Sequence, residues 1–462
     1  MTDGSDRAAR HAIVMGGGVA GLLSARVLAD HFERVTIVER DELPIVAAPR
    51  HGAPQGRHIH VLWAGGANVI EELFPGILKE LVAGGSSALD ACRELRWFHH
   101  GVWKRQVSST IAMHTQSRPF LEQHIRRRLA VHPRVTFLKQ AAVSELCFDA
   151  ARHHVTGVLV EHRGDVAATE KLAADLVVDA SGRGSKTPQW LEAMGYGKPP
   201  ETTVGIDLAY ASRSYHIPTD SQRDWKVLAV FAKAPDSKRS GVIFPVEDRR
   251  WIVTLAGCLG DHPPGDEDGF LEFARQLDRP DLYEAIQHAE PASSIATYRF
   301  PAQLRRHYEQ LARFPDGLVV LGDALCSFNP LYGQGMSVCA LQARLLGELL
   351  QRESSRPDNA FAGLPRRFFK RAKRIVDNPW LLATCSDFLY PETKGRRPIG
   401  TGFLGWYIVQ LLELSEHDQT IVTRFHEVLH FLKPPTALFH PYCLFQVMKR
   451  GLSWKRRCPP EA

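Results

Sequence analysis

The sequence predicts an α/β fold: a Rossmann-like domain interrupted by an antiparallel β-sheet and followed by a helical C-terminal region. Three observations predict it. The chain opens strand–helix–strand around the glycine-rich stretch GGGVAG (16–21). After about Pro200 the texture changes to short runs of β-branched and aromatic residues separated by turn residues. A buried strand returns at GLVVLGDA (317–324), and beyond about residue 360 the pattern is mostly helical. With 462 residues the chain is too long for one simple core, so two lobes or a large insertion are expected. The expected boundaries are 1–190 for the first part of the Rossmann-like domain, with a small insertion near 85–115, then 191–300 for the sheet. The second part of the Rossmann-like domain follows at 301–355 and the helical region at 356–462.

Each element has a local reason. HAIVM (11–15) is a short apolar run, expected as a buried strand; 19–30 follows as a helix and VTIVE (35–39) as the next strand. SRPFLEQHIRRRLA (117–130) spaces Leu121, Ile125 and Leu129 four apart, one face of a helix, before the strand RVTFL (134–138). ADLVVDAS (174–181) is expected as a buried strand leaving the sheet. The stretches 203–216, 226–234, 241–246 and 250–257 are expected to form the antiparallel sheet. A helix is expected at 269–288, a basic amphipathic piece at 301–313, and a helix at 336–351.

Composition excludes some functions. A 44% hydrophobic and 23% charged chain is an ordinary globular protein. Its charge is uneven: from Gln351 onward there are 18 Lys/Arg against 10 Asp/Glu, so the net +6 lies in the C-terminal region. The first 350 residues are therefore no nucleic-acid binder. The eight cysteines lie far apart with no CxxC, so no zinc site is expected and a reduced, cytoplasmic chain is. The N-terminus lacks a long apolar segment of secretory type, and no run reaches the length of a transmembrane helix.

Gly16, Gly18 and Gly21 form GxGxxG directly between a strand and a helix, and Glu39 closes the second strand. In that setting the first glycine allows a tight turn, the second lets backbone amides approach a pyrophosphate, and the third lets helix and strand pack closely. The helix N-terminus favours phosphate, and Glu39 can accept a hydrogen bond from a ribose hydroxyl. This is a dinucleotide site, for NAD or FAD. The choice falls on GDALCSFNPLYGQGMS (322–337), about 300 residues later. Asp323 ends a strand, where open α/β sheets bind ligands, and can bond a sugar alcohol. Gly333 and Gly335 precede a helix beginning near Met336, whose amides can stabilise negative charge on a reduced flavin. Two distant segments holding one long cofactor indicate FAD. Residues 1–190 and 301–355 are then the two parts of an FAD-binding domain, and 191–300 is the substrate domain.

These motifs together resemble the FAD-dependent monooxygenases of the aromatic-hydroxylase superfamily, over roughly residues 10–350. GGGVAG, VVDASGRGSKTPQWL (177–191) and the 322–337 segment follow in the superfamily's order. The resemblance implies FAD contacts at Val19, Ala20, Arg40, Arg118, Val143, Gly322, Pro330 and Met336 beside the glycines, Glu39 and Asp323. It also brings Arg57, with His58 and His60, near the flavin. Cys326 stands where aromatic hydroxylases commonly have His, and is expected as a buried packing residue. APQGRHIHVLWAGG (53–66) resembles a segment of bacterial polyketide (polyether-type) alkene epoxidases. The resemblance implies transfer of one oxygen from O2 through a flavin C4a-hydroperoxide to a lipophilic polyketide or terpenoid in secondary metabolism, alkene epoxidation ahead of ring hydroxylation. NADPH or NADH would supply electrons, directly or through a flavin reductase, since no second GxGxxG is present.

No catalytic side chain can be picked from the sequence. Phe231, Phe244 and Trp251, in the expected sheet, are candidates for the substrate wall. The apolar stretches 402–414 and 428–445, with Lys394, Arg396, Arg397, Lys449, Arg450 and the basic run 455–457, are expected as a helical cap on the substrate domain. Peripheral contact with a membrane is the alternative. Four other functions stay open: an aromatic-ring hydroxylase, a prenyl-chain reductase, a non-catalytic binding protein on this scaffold, and a flavin-dependent halogenase. The last usually carries a Trp-x-Trp-x-Ile-Pro signature, which this sequence lacks.

Overall fold

His11–Met15 is buried at every position, as a strand flanked on both sides and covered on both faces requires. It is the middle of a five-stranded parallel sheet in the order Leu318–Val320, Leu176–Asp179, His11–Met15, Arg34–Val38, Val135–Leu138. The computed structural model that shows this describes residues 10–50, 52–163, 168–219, 223–353 and 361–457, with side chains up to residue 450. The helix Val19–Leu28 packs against Gly335–Glu353, which in turn packs on Ala64–Leu73 and on Leu364–Asp387. Fully burying residues such as Leu22, Leu23 and Leu28 contributes about 1.5–3 kcal/mol each.

The carboxyl ends of four parallel strands meet at one place. Gly16 N donates to Val38 O, Ala180 N to Met15 O, and Leu321 N to Asp179 O. Glycine loop, Glu39, Ala180 and Asp323 therefore all leave the sheet along one edge.

The second sheet has eight strands, with Glu201–His216, Arg250–Gly257, Arg239–Val246 and Val227–Val230 as consecutive neighbours. Here the structure corrects several expectations. The segment 85–115 is no separate insertion: Leu95–His99 pairs in parallel with Val227–Val230 and extends the sheet. The basic piece expected at 301–313 is largely strand. Strand Ala296–Arg306 pairs along Glu201–His216 and ends in a 3-10 turn, Tyr308–Gln310. The helix expected at 269–288 is two, Glu267–Arg275 and Asp281–Ile286, because Pro280 cannot continue the first. The strand at 317–324 is only Leu318–Val320, after which Gly322–Ala324 turns as a 3-10 helix. A further antiparallel sheet, Ala141–Asp149, His154–His162 and Thr169–Ala173, was not anticipated.

The C-terminal region is helical as expected: Leu364–Asp387, Thr401–Leu414, Gln419–Leu429 and Pro441–Arg457. The side chains of the basic run 455–457 lie outside the described residues. Among the described residues no helix is long and apolar enough to cross a membrane.

Candidate active site

The three glycines of the first loop meet three different demands. Gly16 has φ +103°, and a Cβ there would lie 2.7 Å from Ala180 O. At Gly21 a Cβ would lie 1.8 Å from Gly16 O, so helix and strand touch through bare backbone. At Gly18 a Cβ would meet nothing closer than the guanidinium nitrogens of Arg50 and Arg118, each 3.6 Å away. Gly18 is also the N-cap of Val19–Leu28 and makes no side-chain cap bond. An open backbone, uncapped amides and two cations converge on one spot, which is the donor set a diphosphate needs.

Glu39 is buried at the end of its strand. Its Oε2 accepts from Gly17 N at 2.7 Å and lies 2.9 Å from Arg50 Nη1; its Oε1 accepts from Asp41 N at 3.1 Å. Arg50 also faces Asp41 at 3.4 Å and Glu122 at 3.6 Å, while Arg118 Nε donates to Glu122 at 2.8 Å. Burial alone would lower Arg50, but the three carboxylates together hold it above its ordinary value. Ser117 caps the helix Arg118–Ala130 through Phe120 N and so places Arg118 at the cleft. Arg118 Nη1 lies 3.3 Å from His60 Nε2, and burial followed by that guanidinium lowers His60 to about 3.

The late motif forms the other side of the cleft. Asp323, Pro330, Gly333, Gly335 and Met336 line the same cavity as the glycine loop. Asp323 Oδ1 is 3.9 Å from where a Gly335 Cβ would stand. Burial raises the Asp323 carboxyl, against Arg118 and Arg183. Gln334 is buried with its Oε1 unpartnered. By contrast, Asp179 of the middle motif faces its own turn. It accepts from Ser181 N at 2.9 Å, Ser181 Oγ at 2.6 Å and Thr187 Oγ1 at 2.6 Å. Arg183, from the same segment, does reach the cavity wall. Uncapped amides, paired cations, Glu39 and Asp323 fit the two ends of FAD.

The late loop is tied to the C-terminal region by one buried acid. Asp387 accepts from Gln303 Nε2 at 2.6 Å, Asn329 Nδ2 at 3.0 Å and Tyr332 OH at 2.8 Å. Burial pushes its carboxyl from 3.8 up to about 7 in spite of these donors. The folded chain therefore keeps a proton that the unfolded chain releases, and stability falls as pH rises from about 4 through about 7. Denaturant unfolding should show wild-type stability falling relative to Asp387→Asn across that window. A pH-independent difference contradicts this.

The cavity, about 690 Å³, continues from the cofactor cleft onto one face of the eight-stranded sheet. Leu95, Trp97, Val227, Ala229, Val242 and Ala256 face it, and Leu382, Ile408, Leu412, Phe425 and Leu438 close it from the C-terminal helices. His58 stands where cleft and chamber join. Its Nδ1 is 2.7 Å from Ser212 Oγ, which is 2.6 Å from Thr254 Oγ1. Burial, then Arg57, lowers His58 to about 4.

Of the residues singled out from the sequence, Gly16, Gly18, Val19, Ala20, Glu39, Arg40, Arg118, Val143, Phe231 and Phe244 line this cavity together with those of the late motif. Four do not. Gly21 and Gly322 lie behind the wall, where each allows close packing; a Cβ on Gly322 would come within 2.9 Å of Ala20 Cβ. Arg57 is exposed. Trp251 is on the opposite face of the sheet, stacked on Trp225 and packed with Phe270 and Phe273 of the covering helices. Arg50 was missed. Its one signal was a cation eleven residues beyond the buried Glu39 and nine beyond Asp41.

With that geometry established, the sequence proves 36% identical over 429 residues to Protein Rv3254 of Mycobacterium tuberculosis, covering 90% of this chain and 88% of that protein. The chain belongs to the family of Protein Rv3254. No family model matches it. Among solved structures, this Rv3254-family chain resembles the flavin-dependent brominase Bmp2, at a TM-score of 0.66 and 14% identity, covering 97% of this chain and 100% of that one. It also resembles p-nitrophenol 4-monooxygenase PnpA from Pseudomonas putida, at a TM-score of 0.64 and 16% identity, covering 91% and 98%. At such identities the likeness establishes the fold, the one expected from the sequence, and leaves the chemistry to the site.

Proposed function

We propose that this chain is an FAD-dependent monooxygenase that inserts one oxygen atom from O2 into a lipophilic polyketide or terpenoid substrate, most favourably by alkene epoxidation. The observation that carries this reading is the single cavity joining the two cofactor motifs to an apolar chamber. When bound and reduced by NADPH or NADH, FAD supplies the oxygen activation. The chain's residues do the rest. Arg50, Arg118 and the amides after Gly18 hold the diphosphate, Glu39 a ribose hydroxyl, and Asp323 a hydroxyl of the ribityl chain. The N-terminus of Gly335–Glu353 offers positive potential to charge on the reduced ring. The sheet and the C-terminal helices exclude water and orient the substrate.

Among the described residues lining the cavity, the carboxylates are Glu39 and Asp323, both in the cofactor half. The chamber half carries no carboxylate, and burial makes the two histidines on its wall, His58 and His99, weak bases for taking a proton from a phenol. Epoxidation of an alkene requires no base, which favours it over ring hydroxylation. The lysine on the cavity wall is Lys186, in the cofactor half beside Arg183. The deeply buried Lys104 donates to His99 O and Leu412 O behind the wall. Neither lysine opens into the chamber half.

The test is incubation of FAD-loaded protein with NADPH, labelled O2 and a panel of polyene and prenylated compounds. A product heavier by one labelled oxygen is expected. A gain of two hydrogens would make the chain a reductase, and a gain of bromine or chlorine in the presence of halide would make it a halogenase.

A further inference from the structure

We infer that the outer face of the C-terminal cap docks on an anionic membrane surface. Among the described residues, eight of the thirteen large exposed apolar side chains lie between residues 399 and 448. Phe403 is 65% exposed, Trp406 48%, Phe445 58% and Met448 60%, values that a globular surface rarely gives such large side chains in one region. They sit on neighbouring elements. The buried Tyr407 ring stacks on Phe403 at 6.4 Å and on Phe439 at 4.9 Å, joining helix Thr401–Leu414 to the turn Pro435–Phe439. Helix Pro441–Arg457 packs on Thr401–Leu414 through Cys443 and Val447, and its Phe445 and Met448 stay outside.

Charge selects the occupant. Lys394, Arg396 and Arg397 immediately precede Ile399 and Phe403, and Lys449 follows Met448; all four are exposed. Among the described residues none of the four forms a salt bridge with a carboxylate, whereas Lys433 and Arg450 are paired, with Glu427 and Glu413. Arg397 donates to Phe388 O and lies over its ring, but no carboxylate among the described residues neutralises it or the other three. Bulky apolar and aromatic side chains beside such cations match the interface of an acidic bilayer, where apolar groups enter the headgroup boundary and cations meet lipid phosphates. A protein partner would have to bury these cations against its own acids. The same elements line the chamber from within through Ile408, Leu412 and Leu438, so one layer of helix separates the outer face from the cavity. A lipophilic compound dissolved in the bilayer would meet this helical wall of the chamber first. This last point rests on the proposed substrate class; the docking itself does not.

The test is co-sedimentation of the full-length holoprotein with vesicles of phosphatidylcholine and of equal parts phosphatidylcholine and phosphatidylglycerol. Sedimentation with the anionic vesicles, weakened by salt and absent with the neutral ones, is expected. Each exposed cation at the surface strengthens binding roughly fivefold, so Lys449→Glu should weaken it at least that much. Phe445→Glu with Met448→Glu should abolish it without lowering the melting temperature, because both side chains already face water. Failure of the native protein to sediment with anionic vesicles overturns the inference, whatever the variants do. So does a concentration-dependent dimer that dissociates in the double variant, which would make a second copy of the chain the occupant. Loss of oxygenation activity with docking intact would overturn the proposed function alone.

Discussion

Gly18→Ala and Gly21→Ala are expected to separate cofactor binding from folding. The Gly21 Cβ would stand 1.8 Å from a carbonyl oxygen that belongs to rigid backbone, so strand and helix must move apart. Overpacking of this kind costs about 1–3 kcal/mol, and more where only backbone can give way. Gly21→Ala should therefore melt lower even as apoprotein and fail to retain FAD. The Gly18 Cβ meets only the ends of two flexible arginines. Gly18→Ala should fold with an unchanged apoprotein melting temperature, yet bind FAD about tenfold or more weakly, because the methyl group occupies the diphosphate's approach. Calorimetry of the apoproteins and FAD titration measure the two effects independently. Equal losses in both variants would contradict the assigned roles.

Arg50→Met should have the next largest effect. Arg50 is the cation shared by Glu39, Asp41 and Glu122, all nearly buried. Its removal leaves three carboxylates at the cleft floor, with Arg118 and Arg126 beside Glu122 only. Removing one partner of a buried ionic network costs about 3–5 kcal/mol, because the charges left behind lose their compensation. The same change removes one of the two guanidinium groups at Gly18, so FAD binding should fall as well. Arg57→Met, at the exposed position, should leave both quantities unchanged. A stable, FAD-replete Arg50→Met protein would show that Arg118 and the helix amides suffice.

How far the sequence revealed this site depends on distance along the chain. The glycine loop was legible because each glycine answers a separate local demand, and the strand and helix around it carry their own periodicity. The late motif was legible for the same reason, at Asp323 and the Gly333–Gly335 turn. Arg50 was not, because Glu122, one of its partners, lies 72 residues away and nothing local marks the pairing. The sheet's alternation was legible, but its orientation was not. Phe244 and Trp251 are both buried: the cap covers one face, and the helices Glu267–Arg275 and Asp281–Ile286 cover the other. With both faces apolar, a period of two separates the faces without saying which encloses the cavity. The parallel pairing of Leu95–His99 with Val227–Val230 joins segments more than 130 residues apart, beyond the reach of local patterning. The exposure of Phe403 and Phe445 was likewise hidden in stretches that look like core.

The most direct test of the account is the flavin content of the purified full-length protein, followed by anaerobic addition of NADPH. A yellow protein holding one FAD per chain, with a visible band that bleaches on NADPH addition or after a flavin reductase is also supplied, is the expected result. A protein that neither carries FAD nor takes it up on reconstitution would contradict the account at its root. The glycine loop and the late motif would then be a scaffold without its cofactor.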